Sequence, residues 1–167
     1  MPTLWHSKVR EREKVKIIIW LIASVVIGLL YHIAGTGGFK NAKAIRRFGC
    51  TAIALGLYIY LAGFHLGQWW IYLFTYILNA LALSTYHDYL APDGTSENWL
   101  CWIATGAGYG LAAFPLIWSG VHWWAILVRT IFLAISIMWL RERTGKVFKE
   151  EFFSGLLYCG SIPILLL

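Results

Sequence analysis

The chain has 167 residues, 59% of them hydrophobic and 13% charged, with a net charge of +6. Ordinary soluble domains carry roughly 45–50% apolar and about 25% charged residues, so this composition excludes that class and predicts an integral membrane protein, expected in a plasma or inner membrane. The basic residues flank apolar runs, where they meet anionic lipid headgroups, which makes membrane lipids the expected partners and excludes nucleic acid.

Cys50, Cys101 and Cys159 show no metal-binding or CxxC spacing, so no metal site is predicted and no cofactor is specified. Residues 4–16, LWHSKVREREKVK, alternate in charge and favour helix. Residues 1–16 therefore read as a charged helical extension, and residues 17–167 as a single transmembrane domain.

A bilayer core about 30 Å thick takes roughly 20 apolar residues of helix. Six stretches approach that requirement: 17–34, 48–64, 68–86, 99–118, 122–140 and 152–167. The expected fold class is all-α, a polytopic integral membrane helix bundle with five to six hydrophobic segments joined as tight helical hairpins. His65-Leu66-Gly67 makes one such connection and Ser119-Gly120-Val121 the other. Residues 141–151, RERTGKVFKEE, read as a surface helix or loop before the last segment. Trp69, Trp70, Trp99, Trp102, Trp118, Trp123, Trp124 and Trp139 fall at run ends, where amphipathic rings suit the headgroup layer. No ladder of alternating ten-residue strands is present, which argues against a β-barrel.

With six crossings, residues 35–47, 87–98 and 141–151 share one side, and the N-terminal extension lies on the other. Basic residues then fall on both sides and leave the orientation open. Were 17–34 to turn back or lie in the interface, they would collect on one side. An apolar run of 18 residues favours crossing.

The polar loops hold the first set of candidate residues. Lys40, Lys43, Arg46 and Arg47 form a candidate anion or head-group site, because clustered ammonium and guanidinium groups suit phosphate. His87, Asp88 and Glu97 are the candidate catalytic residues, with the imidazole handling protons and a carboxylate orienting it. Together they describe an interfacial enzyme acting on a phosphorylated lipid or other membrane-bound substrate, by acyl or phosphoryl transfer.

Within the first loop, Gly35, Thr36, Gly37 and Arg46 stand in the register of GSGNxGATNxxR. That stretch resembles the first motif of the membrane glycerol-3-phosphate acyltransferases that use acyl phosphate. Gly38, Lys40, Asn41, Ala42 and Lys43 depart from it, and that family's second, glycine-lysine motif is absent. The resemblance implies phosphate held by glycine amides and Arg46. A glycine helix stop followed by a basic anchor accounts for the same residues.

The second set lies inside the apolar segments: Asn79, His122, Arg129 and Ser136. An arginine at such depth costs about 2.5–3.5 kcal/mol on insertion scales and marks function by default. His122, Arg129, Ser136 and Arg143 recur every seven residues, which places them in one stripe along a helix. No carboxylate lies within any segment, so Arg129 is expected to find carbonyls, Asn79, tyrosines, water or lipid phosphate. The stripe suggests an oligomeric channel, transporter or membrane-permeabilising protein. A third reading is a structural subunit of a larger membrane complex. Gly106 and Gly110 have GxxxG spacing, with Ala104, Gly108 and Ala112 as a second small-residue row. These rows predict close helix packing, and Gly106 with Gly110 the face of a homo-oligomer.

Overall fold

A computed structural model describes residues 4–35, 41, 44–63, 65–85, 99–144 and 147–167. Six α-helices and no strand occur among the described residues. They are α1 (Leu4–Gly35), α2 (Thr51–Ala62), α3 (Trp69–Thr85), α4 (Trp99–Leu111), α5 (Trp123–Thr144) and α6 (Val147–Gly160). A π-helical turn, Ile45–Cys50, runs directly into α2, and 3-10 turns occupy Leu66–Gln68, Phe114–Ser119 and Ile162–Leu166.

Among the described residues, three helices are long and apolar enough to cross a membrane, over Glu11–Ile33, Ile45–Ala62 and Trp123–Leu140. The 32 residues of α1 extend about 48 Å, and α1 has no break at which segment 17–34 turns back. The charged extension and the first apolar segment are therefore one helix. The stretch read as surface helix or loop contributes instead to both neighbours, because α5 continues to Thr144 and α6 already starts at Val147.

Segments 99–118 and 152–167 are interrupted, and proline explains both breaks. Pro115 and Pro163 stand at the start of the 3-10 turns, where a proline ring is tolerated but supplies no N–H to a carbonyl of the preceding helix. The α-helical parts therefore stop at Leu111 and Gly160.

Glycine sets the closest helix contacts. A Cβ on Gly28 of α1 would lie 2.9 Å from Phe152 O of α6, and one on Gly155 would lie 2.9 Å from Ile27 O. Likewise, Gly106 abuts the backbone of Ala134, and Gly110 that of Thr130, so α4 and α5 pack backbone to backbone. The close approach expected from the GxxxG spacing is thus made inside the chain. Gly108, in the parallel row, has nothing within 4 Å of the position its Cβ would take.

The two hairpin connections also turn on glycine. Gly63 ends α2 with φ +97, and Gly120 follows the 3-10 turn with φ +99, conformations that L side chains rarely adopt. Around Gly120 the Schellman pattern is complete: Gly120 N–H donates to Ile117 O and Val121 N–H to Leu116 O.

The bundle has an inverted surface. Ile18, Ile22, Leu73, Phe74, Leu81, Ile131, Phe132 and Ile135 are exposed, whereas Arg46, Thr51, Thr75, Asn79, Thr105, Arg129 and Ser161 are buried. Soluble proteins place such residues the other way round.

Candidate functional site

The helix breaks create the site. Where α4 ends, Ala112 N–H donates to Gly108 O but Ala113 N–H donates to Gly110 O. The change from four-residue to three-residue spacing skips the carbonyl of Tyr109. Three residues further on, Ala112 O would look to position 115 for a three-residue bond, and Pro115 has no N–H. Two carbonyls at the end of α4 thus need donors from elsewhere, since a bare buried carbonyl is costly.

Arg129 and Asn79 supply them. Arg129, only 2% exposed on α5, donates from Nη1 to Tyr109 O at 3.1 Å. Asn79, buried on α3, donates from Nδ2 to Ala112 O at 3.1 Å and to Thr75 O at 2.9 Å. At the end of α6, Arg129 Nε donates to Ser161 Oγ at 3.0 Å and Nη2 to Tyr158 O at 3.5 Å. Ser161 Oγ itself donates to Tyr158 O at 2.9 Å. The guanidinium also lies 5.5 Å from the centre of the Tyr158 ring. It is therefore held between the C-terminal ends of two helices, where the backbone dipoles present partial negative charge.

Tyr158 closes the circuit by donating its hydroxyl to Asn79 Oδ1 at 2.8 Å. One network therefore joins α3, α4, α5 and α6. None of the groups bonded to Arg129 is a carboxylate, and Lys16–Glu13 on α1 is the single ion pair among the described residues.

A cavity of about 20 Å³ lies against this network, with Thr51, Thr75, Asn79, Arg129 and Tyr158 among its walls. That volume holds about one water-sized particle. Ser24, Thr51 and Thr130 each donate to the carbonyl four residues back in their own helix. Thr75 does not: its Oγ1 is buried without a hydrogen-bond partner among the described residues.

Of the four polar residues expected inside the segments, Asn79 and Arg129 are brought together through Tyr158. His122 lies apart, exposed at the start of α5 with its ring stacked on Trp124 at 6.0 Å. Ser136 is half-buried and is not among the hydrogen-bond partners of Arg129. Of His122, Arg129 and Ser136, only Arg129 belongs to the site. Ser161, Tyr158 and Thr75 escape sequence reasoning, although Pro163 beside Ser161 is a visible sign of freed carbonyls nearby.

In the loop set, Arg46 is 2% exposed on the π-helical turn, close enough to Tyr31 and Cys50 to interact electrostatically, and Arg47 is half-buried. Lys40, Lys43, His87, Asp88 and Glu97 lie outside the described residues, as does most of the acyltransferase-like stretch. No group of three or more His, Cys, Asp or Glu suited to a metal ion occurs among the described residues. No protein-family model matches the chain, nor does any curated protein or solved structure.

Proposed function

We propose that the chain is a polytopic integral membrane protein of the channel or transporter class, with the Arg129 centre as the part that meets the solute. The apolar outer surface, with Arg129, Asn79 and Ser161 buried within a largely hydrophobic core, supports residence in a bilayer. Segment lengths support six crossings. The 17 residues of α3 extend about 26 Å. With its 3-10 continuation, the interrupted helix starting at Trp99 extends about 30 Å, while the apolar stretch Phe152–Leu166 extends about 24 Å.

One observation carries the functional reading: a buried guanidinium with neutral partners only, beside a small cavity of mixed polar and aliphatic lining, where two helices break. Helices interrupted at membrane depth, with polar ends turned inward, are how transporters build binding sites. Intramembrane charges that face a cavity mark ion pathways.

The test is flux. Liposomes containing the purified chain should release chloride faster than protein-free liposomes when an electrical shunt is provided, and Arg129→Met should abolish the excess. Wild-type liposomes that release no monovalent ion and no proton above the protein-free background would refute the proposal.

A further inference from the structure

We infer that the Arg129 cavity is a binding site for a single monatomic anion of the halide class. The inference deepens the transport reading and rests on it for the use to which the anion is put. Its own ground is the donor count. An arginine carries five N–H donors; the bonds to Ser161 Oγ, Tyr109 O and Tyr158 O use three, and the Tyr158 hydroxyl lies within reach of a fourth, leaving one.

The cavity wall adds the Thr75 hydroxyl, 3% exposed and without a partner among the described residues. Both Asn79 N–H donors are already committed to Thr75 O and Ala112 O, and its Oδ1 is taken by Tyr158. The groups with capacity to spare at the cavity are therefore one guanidinium N–H donor and one hydroxyl.

Charge and size then select the guest. The site carries a full positive charge bonded to carbonyls and a hydroxyl, and a buried charge without a counter-charge is expensive. A cation is repelled. The C-terminal ends of α4 and α6 offset part of that charge, and a neutral water adds no counter-charge to them. Phosphate and sulfate need several times the room of one water, while the cavity offers about 20 Å³. A monatomic anion satisfies the donors, the charge and the volume together.

The experiment uses the full chain in detergent or nanodiscs and compares chloride with gluconate at equal ionic strength. Chloride at about four times its dissociation constant should raise the unfolding midpoint by roughly 2–4 °C. Thr75→Val keeps the side-chain shape and removes a hydroxyl that no protein group uses, so this variant should fold normally and lose most of the shift. Crystals or grids prepared in bromide should show the ion within hydrogen-bond distance of Arg129 and Thr75.

Equal midpoints in chloride and gluconate, or a chloride shift that Thr75→Val leaves intact, would overturn the inference. So would bromide located elsewhere, with only water at Arg129. Anion binding without liposome flux would uphold the site and overturn the transport reading. Flux with no anion at Arg129 would do the reverse.

Discussion

Exchanging Arg129 for methionine sets two opposing terms against each other. The substitution strips Tyr109 O of its donor, and a bare buried carbonyl costs about 1–3 kcal/mol. It also removes the cation beside the Tyr158 ring, worth roughly 0.5–2 kcal/mol. Tyr158 O suffers less, because Ser161 Oγ still donates to it at 2.9 Å. Against these losses, removing a charge at membrane depth returns about 2.5–3.5 kcal/mol. The terms nearly cancel, so Arg129→Met should lie within about 2 kcal/mol of the wild type.

Asn79→Leu has no such return. It leaves Ala112 O without a donor and the Tyr158 hydroxyl without its acceptor, at about 1–3 kcal/mol for each group. The expected loss is about 2–6 kcal/mol, larger than for the arginine. Equilibrium unfolding in mixed micelles, in chloride-free buffer and followed by tryptophan emission, measures both variants. An arginine variant that loses more than about 4 kcal/mol beside a near-neutral Asn79→Leu would refute this reasoning, because the charge would then stabilise the bundle far beyond the bonds it makes.

The glycine contacts make a sharper local test. Gly110→Ala forces a methyl into the backbone of Thr130 and should cost about 1–3 kcal/mol, whereas Gly56→Ala in α2 meets nothing within 4 Å and should gain about 0.5–1 kcal/mol. A destabilised Gly56→Ala or an unaffected Gly110→Ala in the same assay would contradict the packing described. His87→Ala separates the two functional classes: liposome flux should stay within about twofold of wild type. Loss of turnover of a phosphorylated lipid in that variant, with flux absent from both proteins, would instead favour the interfacial enzyme.

Much of the architecture is legible in the chain itself. Apolar run lengths locate the six helices among the described residues, three of them long and apolar enough to cross a membrane, and Gly63 and Gly120, beside the expected connections, make the turns. Helix ends are less legible: segments 99–118 and 152–167 read as single spans because hydropathy does not register the carbonyls that Pro115 and Pro163 leave without N–H partners. The small-residue row at Gly106 and Gly110 announces a close contact, but a local pattern cannot distinguish a neighbouring helix of the same chain from a second copy.

By itself the sequence determined that this chain is helical, suited to a bilayer and burdened with one deep arginine, because those properties follow from composition, run length and helical period. Tertiary structure alone decided what surrounds that arginine. Seven-residue spacing put His122 and Ser136 on its stripe, yet its neighbours come from α4 and from the end of α6, 20 to 32 positions away. Periodicity reports which residues share one helix face. The partners of a buried charge are set by where other helices end, and that depends on the packing of the whole bundle.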